Sequence, residues 1–480
     1  MSEYRGRRAC VLGLGRSGFA AARLLLRQGA RVRAIEERWR DELAPLWQPL
    51  AASGAELAAG EPGAEALRGC ELLVRSPGVP SGNALLRAAR EAGIEVVSEI
   101  ELAAREMGAV AGPRALSDSG GEPVSSARVP AVLAITGTNG KSTTTAWAAH
   151  LLERAGTPAI ACGNIGHALA DAWIEDPGRV FVAEISSFQL EDSPTFRPRA
   201  ATILNITPDH LDRYPGYDAY RDAKWAIARS QTRDDVLVLG PDLFDEGARR
   251  AASVLVECDV RDHGRPDALF VRDGAIHRRA GGRETRLLAV SELALPGPHN
   301  LLNAMAAFAL GAALVPDAAA LVRGLRDFPG LPHRLEQVGV LGAVRFINDS
   351  KATNVDSMRV ALESFAEPIV LIAGGRDKAG DFEAIAPLVE ERVARIIAIG
   401  EAAGRVRRAY PRVPSETAPD FASAIERAYA AAAQARGVVL LSPGCASFDW
   451  FRNYEHRGDV FRDEVAALIR REAGRARGEA

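Results

Sequence analysis

The chain has 480 residues, 47% hydrophobic and 25% charged, with 59 basic and 62 acidic side chains and a net charge of −3. This excludes wholesale disorder, and the missing basic excess argues against nucleic acid or an anionic membrane as the main partner. The length predicts roughly three domains, each able to bury its own core. Small anionic ligands stay open, because helix ends and single cations bind phosphate even in an acidic protein. Five cysteines without CxxC spacing argue against a disulfide framework or a zinc site, and fit a reducing cytosol. The polar start, Met1 to Arg8, predicts no signal peptide.

In chain order, Ala9–Leu12 reads as a strand, residues 13–18 as a turn, Phe19–Gln28 as a helix and Val32–Ile35 as a second strand. Leu72–Val74, a helix near Asn83–Glu91 and Glu95–Val97 continue the alternation, which predicts a small doubly wound sheet. Pro113–Arg128 is rich in Pro, Gly and Ser and reads as a linker. A second α/β region starts at Ala131–Ile135 and includes Val180–Ile185 and Ala201–Ile206. Within it, Leu269–Leu288 reads as an antiparallel hairpin turning at Asp273-Gly274. Leu301–Pro316 is too short to span a bilayer and reads as a buried helix. From about Pro329, Val344–Ile347, Ile369–Ile372, Ile396–Ile399 and Val438–Leu441 are strand-length apolar runs, with a helix over Phe421–Arg436. The expected fold is α/β in three parts: a Rossmann-like sheet (1–112), a linker (113–128), a P-loop ATPase-like domain (129–329) and a second Rossmann-like domain (330–480).

Three kinds of loop carry chemistry. Gly13, Gly15 and Gly18 match GxGxxG between a strand and a helix, and Glu36 follows at the end of the next strand. This geometry serves a diphosphate and a ribose, but it does not separate NAD from another nucleotide, or from an empty turn. The loop Gly137-Thr138-Asn139-Gly140-Lys141-Ser142-Thr143 is stronger, although Ile135 stands where the strict P-loop has glycine. Its backbone can cradle phosphates, with Lys141 on the β and γ groups and the Ser142 hydroxyl on Mg²⁺. Glu184, Asn205 and Asp209-His210 close the next strands, where a parallel sheet opens its ligand crevice. Glu184 there is a plausible oxygen ligand for Mg²⁺. On spacing alone, His210 is a structural histidine and Lys224 a solvated surface charge. The third region adds residues 348–354, 374–378 and 442–447, three polar or Gly-rich loops on one predicted sheet edge.

In combination the chain resembles the Mur ligases, ATP-dependent amide-forming enzymes of peptidoglycan precursor synthesis. The strings are GLGRSG (13–18), SPGVP (76–80), ITGTNGKST (135–143), GNIG (163–166), EISSFQLE (184–191) and NITPDHLDRY (205–214). YRDAK (220–224), HNLLN (299–303), FPGLPHRLE (328–336), NDSKATN (348–354), GGRDK (374–378) and SPGCASFDWFRNYEHRG (442–458) complete them. The resemblance covers essentially the whole chain in order. It implies a cytoplasmic monomer that uses ATP and two Mg²⁺ to add D-glutamate to UDP-N-acetylmuramoyl-L-alanine, with an L-glutamate-adding enzyme as the alternative.

The resemblance also implies residue roles. Gly15, Arg16, Ser17, Glu36, Glu37, Ser76 and Gly78 would surround the uridine diphosphate. Gly137, Thr138, Asn139, Gly140, Lys141, Ser142 and Thr143 would hold the ATP phosphates, Asn300 and Asn303 the adenine, and Arg334 and Asp349 the nucleotide from the third domain. Ser142, Glu184, His210 and a carbamylated Lys224 would ligate Mg²⁺, which reverses the bland readings of His210 and Lys224. Asn164 would sit by the reacting acyl group, and Lys351, Thr353, Lys378, Ser447 and Tyr454 would line the glutamate pocket. Glu36-Glu37, Gly444 and Tyr454 depart from the residues most usual there.

Overall fold

The apolar runs of the sequence become the inner strands of three sheets. They are seen in a computed structural model that describes residues 3–37, 44–60, 63–110, 131–209, 213–295, 297–376 and 380–478. The first sheet is wholly parallel, in the order Glu56–Ala59, Arg31–Glu36, Arg8–Leu12, Leu72–Arg75, Glu95–Ser98. Strand order reverses between Arg8–Leu12 and Leu72–Arg75, so the crevice at their carboxyl ends is the natural ligand position. The helix after the first strand spans Arg16–Arg27 and begins earlier than Phe19. Gly18 makes that start possible: a Cβ there would collide with the Gly13 carbonyl.

The second sheet has nine strands. Its parallel part runs Ala159–Gly163, Val180–Glu184, Val132–Thr136, Ala200–Ile203, Val236–Leu239, Val254–Cys258, Ala268–Arg272. The predicted hairpin is present and extends to a third strand, Ala268–Arg272, Ala275–Ala280 and Arg283–Ala289, all antiparallel. Asp273 (φ 50°) and Gly274 (φ 69°) both take the left-handed backbone that a tight two-residue turn requires. The third sheet runs Glu336–Leu341, Val344–Asn348, Val438–Leu441, Ile369–Gly374, Val393–Ile399, Ser415–Thr417, antiparallel only at its first pair. The Pro113–Arg128 linker lies outside the described residues, and among the described ones no helix is long and apolar enough to cross a membrane.

The chain divides into two compact units, Met1–Leu293 with Leu301–Phe328, and Ala294–Asn300 with Pro329–Ala480. The first two sheets share a unit because they share a core: Val11, Leu25 and Ile100 belong to the same apolar cluster as Leu169, Phe181 and Phe196. Two acidic side chains on the helix Glu99–Met107 stitch that junction. Glu101 accepts from Thr195 N (3.1 Å) and Phe196 N (2.9 Å), and Glu99 Oε1 accepts from Ala170 N at 2.6 Å. Glu99 Oε2 is buried with no hydrogen-bond partner. Burial pushes this carboxyl up to about 8.

Between the ordinary value of 4.5 and about 8, the folded chain therefore keeps a proton that the unfolded chain releases. Stability from this group falls as pH rises through that window. Glu99→Gln keeps an acceptor for Ala170 and cannot ionise. Its melting temperature should match wild type near about pH 5 and exceed it near about pH 9. Parallel melting curves across that range would disprove the assignment.

Candidate active site

At the switch point of the first sheet the chain turns through Gly13 and Gly15 into the helix whose first turn holds Arg16 and Ser17. Ser76 Oγ donates to Gly13 O at 2.7 Å, which joins the two loops that flank the crevice. Glu36 Oε2 accepts from Leu14 N at 2.8 Å, so the strand-end carboxylate braces the glycine turn. Glu37 Oε1 accepts from Asn83 Nδ2 (2.5 Å), the residue that caps the helix Ala84–Glu91. Gly78 lies exposed in the turn after Ser76. Arg16 reaches from the first sheet to the second, where it donates to Gly166 O at 3.0 Å and Asn164 O at 3.5 Å. All seven candidates for the nucleotide-sugar site thus fall in one neighbourhood.

The loop after Val132–Thr136 enters the helix Lys141–Arg154 directly after Gly140, earlier than the next unbroken apolar run would place it. Gly140 (φ 84°) makes that early entry, and a Cβ on it would strike Asn303 Oδ1. Asn303 also accepts from Thr144 Oγ1 at 3.3 Å, so the second asparagine of HNLLN backs the loop. Asn205 clamps the loop from the neighbouring strand end. Its Oδ1 accepts from Thr138 N (3.1 Å) and Asn139 N (2.8 Å), and its Nδ2 donates to Asn139 O (3.1 Å). Lys141, Ser142 and Thr143 occupy the first turn of this helix, the end at which backbone N–H groups and the helix dipole favour an anion.

Lysines converge on the same loop. Lys141 Nζ donates to Gly137 O (2.9 Å) and Thr138 O (2.8 Å), and Lys224 Nζ donates to Gly137 O (2.8 Å). Lys224 is only 2% exposed, on the helix Tyr217–Trp225. Burial, and then the charge of Lys141, bring its ammonium down to about 7. Glu184 ends the adjacent strand. Its Oε1 accepts from Asn164 Nδ2 at 2.8 Å, and its Oε2 is buried with no hydrogen-bond partner. The orphaned Glu184 oxygen, the Ser142 hydroxyl in the first turn of the helix and the readily neutral Lys224, as a carbamate, would supply oxygen donors, which suit Mg²⁺. His210 and Lys378 lie outside the described residues. Among the described residues no group of three His, Cys, Asp or Glu side chains could hold a metal.

The C-terminal unit gathers a second set. Asn300 is assigned to this unit and Asn303 to the first, although both lie on one helix, Pro298–Ala312. Asp349 Oδ2 accepts from Ser442 Oγ (2.8 Å) and its Oδ1 from Leu335 N (3.3 Å); burial pushes its carboxyl up to about 7. His333 (φ 63°) and Leu335 (φ 47°), either side of Arg334, both take left-handed backbone, a strain that tends to mark functional loops. Lys351 Nζ lies 5.8 Å over the Tyr454 ring, and Thr353 N donates to Lys351 O (2.9 Å). Ser447 is buried and accepts from Phe451 N (2.9 Å).

Arg457 was not among the sequence candidates. It is fully buried, and donates to Ser350 Oγ (2.9 Å), Ser350 O (2.8 Å) and Cys445 O (3.2 Å). It therefore ties the 348–354 loop to the 442–447 loop. Its place three residues after Tyr454 on one helix was the available signal.

Comparison with known proteins accounts for this arrangement. Family models match in order along the chain: Mur ligase MurD-like, N-terminal domain over residues 7–98; Mur ligase middle domain over 135–311; and Mur ligase, glutamate ligase domain over 333–445. The chain belongs to the Mur ligase family. A UDP-N-acetylmuramoylalanine--D-glutamate ligase of Salinibacter ruber is 40% identical, covering 97% of this chain and 99% of the relative. The protein of the same description from Trichlorobacter lovleyi is 41% identical over 97% of this chain and 100% of its own. Among solved structures, UDP-N-acetylmuramate-alanine ligase MurC from Thermotoga maritima superposes with a TM-score of 0.56 at 19% identity, covering 97% and 99% of the two chains. MurF from Acinetobacter baumannii gives 0.57 at 17% identity, covering 96% and 91%. At that identity the structures establish the three-domain Mur ligase fold.

In this Mur ligase, Asn205 is the residue on which the shape of the phosphate loop turns. Asn205→Ala strips the half-buried Asn139 N–H of its side-chain acceptor, while Thr138 N keeps the Asn205 backbone carbonyl at 2.9 Å, at a cost of about 0.5–1.5 kcal/mol. The variant should melt lower and its KM for ATP should rise about tenfold, with the acceptor KM little changed. Thermal melts and initial rates check both.

Proposed function

We propose that this Mur ligase forms the amide between UDP-N-acetylmuramoyl-L-alanine and D-glutamate, at the cost of ATP, in peptidoglycan precursor synthesis. The convergence of Lys141 and Lys224 on one carbonyl of the phosphate loop, beside Ser142 and Glu184, carries the chemistry. The near full-length relatives, described as D-glutamate ligases, support the substrates. Residues 1–112 take the UDP-substrate, 129–329 take ATP and 330–480 take the amino acid. The enzyme works as a monomer in the cytoplasm.

A carboxylate is a poor electrophile, so the γ-phosphoryl group of ATP is first transferred to the L-alanine carboxylate, giving an acyl phosphate and ADP. The 137–143 loop and the helix N-terminus hold the phosphates, and Lys141 leaves its carbonyls to follow the charge onto the transferring group. Asn303 meets the adenine with Asn300; Arg334 and Asp349 meet the nucleotide. The neutral amine of Lys224 adds CO₂ and loses a proton to become a carbamate. Ser142, Glu184, the Lys224 carbamate and His210 would hold two Mg²⁺, which would supply positive charge to the phosphoryl group.

Asn164 stands beside the acyl group, where its bond to Glu184 fixes its amide. Gly15, Arg16, Ser17, Glu36, Glu37, Ser76 and Gly78 anchor the uridine diphosphate end and hold the carboxylate in place. The D-glutamate amine attacks the activated carbonyl, and the tetrahedral intermediate collapses with release of phosphate. Lys351, Thr353, Lys378, Ser447 and Tyr454 bind the incoming glutamate, with Lys378 paired to one of its carboxylates.

Phosphate release from ATP should require the acceptor and D-glutamate together, measured with D- and L-glutamate side by side. Equal or faster turnover with the L form would overturn the substrate assignment. Lys224→Ala should lower kcat on the order of a hundredfold or more, and a short added carboxylate should restore part of it. A fully active Lys224→Ala enzyme would remove the carbamate from the mechanism.

A further inference from the structure

Four charged side chains lie at the junction of the first two sheets, away from the transferred phosphate. Arg75 is 1% exposed, yet all five of its N–H donors find acceptors. Nε and Nη2 donate to Val79 O at 3.0 and 2.8 Å, and Nη2 also to Ser81 Oγ at 3.0 Å. Nη1 donates to Glu191 Oε2 (2.9 Å) and Asp192 Oδ2 (2.8 Å). Arg213 lies 3.7 Å over the Phe188 ring and donates to Pro77 O (2.7 Å) and Val79 O (3.4 Å). Glu191 also accepts from Tyr214 OH at 2.7 Å, and Asp192 from Arg90 at 3.1 Å.

Desolvating so many charges yields little net stability, so the network needs another explanation. Its bonds meet on one target, the turn closed by Val79 N donating to Ser76 O at 3.0 Å. The described peptide bonds are all trans, and a trans peptide points its N–H away from its carbonyl. Arg213, gripping the Pro77 carbonyl, therefore fixes the opposite direction of the exposed Gly78 N–H, while Arg75 holds the far end of the turn at the Val79 carbonyl.

We infer that Arg75 and Arg213, anchored by Glu191 and Asp192, are positioning residues that aim the Ser76–Val79 turn at the UDP-bearing acceptor. This rests on the acceptor assignment above. The network spans the first and second sheets, so it also holds the acceptor turn to the segment Arg213–Tyr214 that follows His210.

The test compares two titrations by calorimetry, one with UDP-N-acetylmuramoyl-L-alanine and one with a non-hydrolysable ATP analogue. Arg213→Met keeps an apolar stem on Phe188 but no donor. It should weaken acceptor binding about tenfold and leave the analogue within about twofold. Arg213→Lys should recover part of the loss, and Asp192→Asn should show the same split should Arg213→Met fail to fold. Unchanged acceptor affinity, or equal weakening of both ligands, overturns the inference. A wild type that binds the analogue but no acceptor overturns the acceptor assignment itself; variants that match an acceptor-binding wild type overturn only this inference.

Discussion

One carbonyl oxygen, that of Gly137, receives the ammonium groups of both Lys141 and Lys224. Two unit charges about 4 Å apart repel by about 4 kcal/mol at the effective dielectric near a protein surface. Nearly complete burial of Lys224 adds a desolvation cost, so one of the two amines gives up its proton most readily. The rest of the central site follows from this conflict. The conflict needs a loop whose carbonyls point inward, which the left-handed Gly140 and the Asn205 clamp provide. It also leaves a carboxylate, Glu184, close by with one oxygen unanswered.

The same sheet logic supplies both halves of the first unit. Each uses a parallel strand ending in a glycine turn that feeds a helix N-terminus. Each turn is then braced by a polar side chain from a neighbouring strand end: Glu36 and Ser76 on the first, Asn205 on the second. Because one apolar cluster runs through both halves, Arg16 can reach the carbonyl of Asn164, which in turn holds Glu184. The two glycine turns are thus joined through a few short polar links set in one shared core.

Much of this was legible in the chain. Inner strands such as Ile369–Gly374 and Val438–Leu441 are buried at every position and read as unbroken apolar runs. Some edge strands were silent: Glu56–Ala59 and Ser415–Thr417 are short and half exposed, and Glu336–Leu341 alternates only weakly. The strand–loop–helix at residues 132–154 was legible because lysine and hydroxyls between an apolar strand and a helix have few packing uses. The Asn205 clamp, the Arg457 tie and the Arg75 network were not, since their partners lie far along the chain and their residue types are ordinary on a surface. Lys224 is the sharpest case. Spacing makes it a solvated cation, and only the packing around it makes it buried and readily neutral.

The C-terminal unit is discontinuous, because Ala294–Asn300 belongs to it while Leu301–Phe328 returns to the first unit. Three chain crossings therefore join the two bodies where a simple tether would make one. A fragment cut at Pro329 would forfeit a piece of its own body. The two halves are thus knitted together covalently, and shuffling the amino-acid module between relatives would have to carry that short stitch along with it.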